Sequence, residues 1–435
     1  MSTRMSRPDR RCRPGSLAAA ALAAGLVGAS ALTGLGAATA QPAPPPSTTF
    51  TTPNTDACPN KTNPPPAIDT SEVPTSGEAP PPPLPVPSPP IGGERLGACG
   101  LVLPDGAPPV PGDISATAWL VADLDTGRVL AAKDPHGRYR PASTIKTLLA
   151  TVALRSLDLQ KVVTGTQDDA NADGTRVGIG PGGQYTNMQL MQALLMCSGN
   201  DAAHAIATQL GGPEATVAKM NDLARHLHAL DTRAATPSGL DGPGMSVSAY
   251  DLATIFREAM TIPTFARIVH TEHADFPGYP ANPQIPGDKD HPGFAIANDN
   301  HLLFDYDGDL GGKTGYTDDA RQTFVTAAER NGHRLVVTLL KGDVLPIRPP
   351  EQAARLLDYG FGLPAGASVG TLPGSAEDES NPNVALASPP PHEPEAATHA
   401  DTHHENLRMV LIVGGLVLVV VLLIGAWTLT GRPRR

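Results

Sequence analysis

Proline decides where this chain can fold. It occurs 47 times in 435 residues, and together with serine, threonine and glycine it dominates the stretch from Gln41 to Gly112. Proline has no backbone N–H and a fixed φ, so such a stretch favours an extended, semi-rigid spacer over a packed core. A second spacer, 364–408, is acidic and rich in proline and histidine. Its His392, His399, His403 and His404 read as solvated linker residues, not as metal ligands. The folded unit is thereby confined to 113–363, which is long enough to bury one sizeable core.

The ends of the chain carry different signals. Residues 1–40 hold an arginine-rich start, an apolar stretch from Leu17 to Leu35 and Ala38-Thr39-Ala40 before Gln41, the order of a secretory signal with a small-residue cleavage site. From Met409 to Gly431 there is no charged residue. At about 1.5 Å per residue a helix of that length crosses a hydrocarbon core of roughly 30 Å. Arg432, Arg434 and Arg435 follow it. Positive flanks stay inside, so 432–435 reads as a cytoplasmic tail and everything between signal and helix as extracytoplasmic, held to the cell membrane by a single span. In that oxidising compartment Cys58 and Cys99 can close a loop, geometry permitting. The net charge of -11 supplies no basic face for nucleic acid.

Within 113–363 the apolar pattern changes period. "ATAWLVADLDTGRVLAAKD" alternates on either side of Asp125-Thr126-Gly127, and "QTFVTAAERNGHRLVVTLL" on either side of Asn331-Gly332. Both predict β-hairpins. Between them "STIKTLLATVALRSL", "NMQLMQALLM", "NDAAHAIATQL" and "EATVAKMNDLARHLHAL" have helical spacing. Strands at both ends and helices between them predict an α+β fold, an antiparallel β-sheet flanked by helices and enclosing a helical subdomain.

Three polar groups interrupt these patterns. Ser143 and Lys146, in "PASTIKTLLA", fall three apart at a predicted helix start, hence on one face of the first turn, where the helix dipole favours developing negative charge. Lysine is scarce here, with eight in the chain. Unlike arginine, a desolvated lysine can be neutral and take the serine proton. Ser198-Gly199-Asn200 breaks two helical stretches with a short polar loop. Lys313-Thr314-Gly315 opens a predicted strand, where lysine and threonine can bind a carboxylate and glycine lets a substrate backbone approach.

Taken together, S-x-x-K, S-G-N and K-T-G in this order resemble the signature of penicillin-binding proteins and class A β-lactamases. With "LLMCSGNDAAHAIA", "MNDLARHL", "SGLDGPGMSVSAYDLA" and "GGKTGYTDDA", the chain resembles the low-molecular-mass penicillin-binding proteins that are serine-type D-alanyl-D-alanine carboxypeptidases, over nearly all of 113–363. The resemblance implies that Ser143 attacks the penultimate D-alanine carbonyl of a peptidoglycan stem peptide ending in D-Ala-D-Ala, with Lys146 as base. It implies that Ser198 and Lys313 relay the proton to the leaving amine and that Asn200 holds the peptide side and steadies Lys146. Lys313 and Thr314 would hold the terminal carboxylate, Gly315 would admit the substrate backbone, and the amides of Ser143 and Tyr316 would flank the oxyanion. Arg348 lies at about the distance of an assisting arginine, with no motif behind it. β-Lactams would act as covalent inhibitors, and the chemistry requires neither cofactor nor metal.

The same motifs admit other readings. A β-lactamase of this kind needs a glutamate in an E-x-x-x-N element between the second and third motifs; Glu214, Glu258 and Glu272 occupy that interval and none has asparagine four residues on. A non-catalytic muropeptide-binding receptor would not need a nucleophile with its base. Endopeptidase or transpeptidase activity would use the same residues and differ in the acyl acceptor. Cys197 beside Ser198 reads as a small buried hydrophobe, since no histidine has a motif relationship to it.

Overall fold

A computed structural model describes residues 50–374. The secretory signal, the membrane span, the basic tail and residues 375–408 of the expected second spacer lie outside the described residues; residues 364–374, expected as linker, instead pack on the domain, with Val369 and Leu372 buried. Among those residues no helix is long and apolar enough to cross a membrane.

Both expected hairpins form. Strands β2 (Ala118–Asp123) and β3 (Arg128–Lys133) make the first, after a short β1 (Leu101–Val102). The second is β9 (Arg321–Arg330) with β10 (His333–Gly342), preceded by β8 (Asp309–Thr317). At the β9–β10 turn Asn331 has φ 54° and Gly332 φ 76°, the left-handed pair that matches the twist of a two-residue hairpin. All pairings are antiparallel and the order is β1-β3-β2-β10-β9-β8, with a final β11 (Gly370–Thr371) also on β3. The β2–β10 ladder, from Leu335 opposite Asp123 to Leu340 opposite Ala118, joins the two hairpins.

The sheet is covered on both faces, so β2 is buried along its whole length rather than half exposed. Leu120 and Ala122 point into one cluster with Leu148, Leu149, Leu252 and Phe256, while Trp119 and Val121 point into another with Leu356 and Leu357. The period of 2 along the strand thus feeds two cores. Helices α1 (Lys146–Ser156) and α6 (Ala249–Met260) line the first face, and α9 (Pro349–Gly362) covers the second. Between β3 and β8 the chain makes the expected helical insert. It holds α2 (Gln167–Ala170), α3 (Asn187–Met196), α4 (Asn200–Gln209), α5 (Pro213–His226), α7 (Pro263–Val269) and α8 (Leu302–Asp305). Two small ribbons, β4 (Val162–Thr164) with β5 (Gln184–Thr186) and β6 (His273–Phe276) with β7 (Phe294–Ala297), complete it.

The proline-rich segment from residue 50 onward is extended, as its composition predicts, but it does not stand off as a free spacer. It lies on the domain, and the reason is its carbonyls. With the N–H missing at every proline, the arm cannot build a continuous ladder and keeps acceptors available, and the body supplies cations to them. The buried Arg138 donates to the carbonyls of Thr62 at 2.9 Å, Leu84 at 2.5 Å and Pro85 at 2.7 Å, and to Asp231 at 3.1 Å. Lys133 donates to Pro53 O, Arg233 to Pro82 O, and Arg140 pairs with Glu72. Leu96 is fully buried in the first core. Cys58 and Cys99 are joined in a disulfide that closes a separation of 41 residues.

A closed loop of that size lowers the entropy of the unfolded chain by about 3–4 kcal/mol at 25 °C. Replacing both Cys58 and Cys99 with serine is expected to lower the unfolding free energy by about that amount, measured by urea denaturation under oxidising conditions. An unchanged midpoint would mean that the arm's carbonyl contacts alone hold it.

Candidate active site

The nucleophile turn is tightly built. Ala142–Ile145 forms a 3-10 turn that runs directly into α1, whose first residue is Lys146. Ala142 has φ 47°, a left-handed conformation that costs a non-glycine residue strain. Thr323 on β9 donates to Pro141 O at 2.8 Å and ties the turn to the sheet. Gly239 packs against the turn from outside: a Cβ there would sit 2.0 Å from Ala142 O.

Lys146 is completely buried and its Nζ has three neighbours: Ser143 Oγ at 2.8 Å, Asn200 Oδ1 at 2.7 Å and Ser238 O at 2.6 Å. An amide oxygen and a peptide carbonyl can only accept, whereas a hydroxyl can donate. A neutral amine satisfies all three, giving two N–H bonds to the carbonyls and a lone pair toward the Ser143 O–H. Burial, and then the nearby Lys313 charge, hold the Lys146 ammonium well below its usual range. The geometry accommodates a neutral amine and burial favours one, which places a base beside the serine.

The second motif occupies the break between α3 and α4. Ser198 is buried with φ 59°, and Asn200 is the first residue of α4. Asn200 Nδ2 donates to Asp173 O at 2.7 Å, which leaves Oδ1 for Lys146. Cys197 is buried as expected, with Sγ 3.5 Å from Ala297 O.

The third motif lies on β8, at the edge of the sheet. Lys313 is buried and donates to Thr314 O at 2.7 Å. Burial lowers its ammonium to about 8, against the opposing pull of Asp299. Gly315 is where strand and nucleophile meet: an added Cβ would lie 2.4 Å from Thr323 Oγ1 and 2.8 Å from the amide nitrogen of Ser143. Tyr316 is exposed on the same edge, its hydroxyl 2.9 Å from Asp318 Oδ1. Ser143, Lys146 and Asn200 are thus joined by direct hydrogen bonds, and Gly315 brings the Lys313–Tyr316 strand against them. Arg348 stands apart. It is exposed at the N-cap of α9, where its backbone amide donates to Glu351 Oε2 at 3.3 Å, and it shares no hydrogen bond with the motif residues.

Three groups in the site carried no sequence signal. Ser238 contributes only its carbonyl, so its side chain says nothing about the role. Buried Asp201 accepts from the amides of Val177, Gly178 and Ile179 at 2.8–3.0 Å, fixing the loop that in turn fixes Asn200. Asp299, whose amide donates to Met196 O at 2.8 Å, sets a negative charge beside both lysines. "SGLDGPG" and "SGND" were visible as strings, but only the fold assigns these duties.

The space at Gly315 is therefore a sharp test of the assembly. Gly315→Ala is expected to lower the rate of covalent modification of Ser143 by on the order of 10² while the protein remains folded, because a displacement of about 1 Å at a reacting centre has that effect. The measurement is labelling with a fluorescent penicillin beside a circular-dichroism melt. An undiminished rate would show that strand and nucleophile turn can separate freely.

The comparisons with known proteins agree with this geometry. The S11 peptidase family, described as D-alanyl-D-alanine carboxypeptidase, matches residues 105–343. The chain is 49% identical over 275 residues to the D-alanyl-D-alanine carboxypeptidase DacB2 of Mycobacterium tuberculosis, an alignment that covers 62% of this chain and 90% of that protein. It is 29% identical to DacF of Bacillus subtilis, over 57% of this chain and 62% of the relative. Among solved structures, a D-alanyl-D-alanine carboxypeptidase from Mycobacterium tuberculosis H37Rv superposes with a TM-score of 0.57 at 47% identity, covering 62% of this chain and all of the other. The Streptomyces K15 DD-transpeptidase superposes at 0.54 with 27% identity, covering 59% of this chain and all of that one. With the fold, the three motifs and a family match spanning more than half its length, the chain belongs to the S11 family of D-alanyl-D-alanine carboxypeptidases.

Proposed function

We propose that this protein removes the terminal D-alanine from peptidoglycan stem peptides ending in D-Ala-D-Ala, by way of an acyl-enzyme on Ser143. The observation that carries the reading is the fully buried Lys146 amine, 2.8 Å from Ser143 Oγ and saturated by two carbonyl acceptors. In this reading Oγ attacks the carbonyl carbon of the penultimate D-alanine as its proton passes to Lys146 Nζ. The oxyanion forms between the amides of Ser143 and Tyr316. Ser198 and Lys313 return a proton to the departing amine, the C–N bond breaks, and free D-alanine leaves. Water then cleaves the ester and releases the shortened peptide. Lys313 and Thr314 hold the terminal carboxylate, Gly315 admits the substrate backbone, and Asn200 holds the peptide side; Arg348, exposed at the N-cap of α9, has no part in this reading.

A β-lactam ring opened by the same attack leaves its fragment tethered, so these drugs inhibit covalently. The missing E-x-x-x-N element supports slow release over β-lactamase turnover. The retained nucleophile and base favour an enzyme over a muropeptide-binding receptor. The flanking sequences support an extracytoplasmic domain delivered by residues 1–40 and tethered to the cell membrane through 409–431.

Incubating the purified chain with a D-Ala-D-Ala-terminated pentapeptide should release one D-alanine per peptide, read by mass, and the Ser143→Ala variant should release none. A peptide left intact by the wild type would end this reading. Lys146→Arg places a permanently protonated side chain there that cannot accept a proton, so acylation by penicillin is expected to fall by on the order of 10² or more. Near-normal acylation would make Lys146 a structural residue.

A further inference from the structure

In the loop between β3 and the nucleophile turn, His136 stands between two acceptors. Its Nδ1 lies 2.8 Å from Asp231 Oδ2, and its Nε2 lies 3.0 Å from the carbonyl of Ile91, which belongs to the proline-rich arm. Asp231 is a carboxylate, since its other oxygen accepts from the Arg138 guanidinium at 3.1 Å. Neither a carboxylate nor a carbonyl has a proton to give. A neutral imidazole offers one N–H and one lone pair, so it satisfies one of these contacts and sets lone pair against lone pair in the other. Only the doubly protonated ring satisfies both.

One carboxylate thus carries two cations, and both reach the arm. Arg138 donates to the carbonyls of Thr62, Leu84 and Pro85, and His136 donates to that of Ile91. Val86, Pro90 and Ile91 of the arm enclose, with His136 and Asp231, a cavity of about 40 Å³. That is room for at least one water, through which the ring can exchange its proton. Four other groups of the body face the ring or its partner: Asp251 from α6, the Tyr250 ring at 4.6 Å, Asp134 from the same loop, and Arg138. From the arm, Lys61 lines the same cavity. Burial and the Asp231 charge hold the buried Asp251 carboxyl well above its usual range, so Asp231 is the charged partner of the ring.

We propose that His136 is a proton-operated latch for the arm: protonated, it ties Ile91 to the body, and deprotonated, it lets the segment 86–95 lift. Arg138 keeps its hold on Pro85 in both states, and the Cys58–Cys99 disulfide keeps its hold on Cys99, so the opening is local. When the ring loses a proton, the N–H that remains goes to the carboxylate, the stronger acceptor. The Nε2 lone pair then opposes the Ile91 carbonyl. Burial lowers the pKa of His136, but the Asp231 hydrogen bond and charge, the Asp251 charge and the Ile91 carbonyl outweigh it, and the net displacement is upward. A histidine raised in the folded state contributes stability that is fully present below its ordinary value of 6.5 and is lost as pH rises through the folded value. The latch is therefore shut in mild acid and opens on the alkaline side. It does not depend on the chemistry at Ser143.

The test is amide hydrogen exchange of the full chain, read by mass spectrometry at about pH 6 and about pH 8.5 and corrected for the intrinsic pH dependence of exchange. The amides of Gly93 and Leu96, which donate to Pro90 O and Gly93 O, report on the segment. Their protection is expected to fall in the wild type by on the order of tenfold at the higher pH, the effect of losing about one hydrogen bond. His136→Gln keeps a donor for Ile91 O at every pH and does not titrate, so its protection should be the same at both. Equal protection of the wild type at the two pH values, or the same fall in the variant, overturns the proposal. Should the variant not fold, the wild-type ring is read directly by nitrogen-15 shifts: both ring nitrogens carry protons at pH 6, and a neutral ring there sinks the latch. His136, Asp231 and Asp251 are also close enough together to hold a divalent cation. Adding EDTA at pH 6 is expected to change nothing; a loss of protection would put a metal ion in the place of the proton and overturn the proposal.

Discussion

A neutral amine inside a protein is the constraint around which this structure is arranged. Lysine left in water carries its proton, and a protonated Lys146 would have nothing to accept from Ser143. Removing water makes the neutral form accessible, but it also requires that each remaining N–H find an acceptor. Asn200 and Ser238 meet that requirement from two different segments of the helical insert, 54 and 92 residues away in sequence. The helical insert therefore does more than cover a sheet face: it delivers the two carbonyls that allow a base to be buried.

The nearby groups make sense as consequences of that burial. Asp201 collects three loop amides, and the same loop anchors Asn200 through Asp173 O and Thr175 O. Lys313, a second buried amine, disfavours charge on Lys146, while Asp201 and Asp299 favour it. The balance is set by distance and burial, not by any one ion pair, which suits a group that must take up a proton and give it back.

How much of this was legible in the sequence depends on whether a feature is local. The S-x-x-K spacing puts two side chains on one helical turn whatever the rest of the chain does, and the two hairpins announce themselves through alternation and through Asn331-Gly332. The α+β architecture and the motif constellation follow from such local patterns. Ser238 and Thr323 were not legible, because their contributions are a carbonyl and an anchoring hydroxyl that become meaningful only when distant segments meet. The docking of the arm is illegible for a related reason. A run of proline reads the same whether its carbonyls face water or face Arg138, and the arginine that decides the matter lies 53 residues beyond Pro85. Arg348, assigned by distance along the chain alone, is the one site residue the fold leaves at an exposed helix cap.

The docking of the arm also imposes an order of events on synthesis. Chains emerge N-terminus first, so residues 50–112 are exposed before any of their partners exist. Cys58 and Cys99 both lie within the arm and can be oxidised to each other at that stage. The carbonyls of Thr62, Leu84 and Pro85 must wait for Arg138, the amide of Ile68 for Asp319, and β1 and β11 for β3. The sheet itself cannot close until β10 reaches β2, more than two hundred residues later. Non-local closure of this kind is slow, and slow closure leaves strand edges open to other chains. A proline-rich arm is well suited to that interval, because recurrent prolines interrupt the row of N–H donors and make the segment a poor template for intermolecular pairing while it waits.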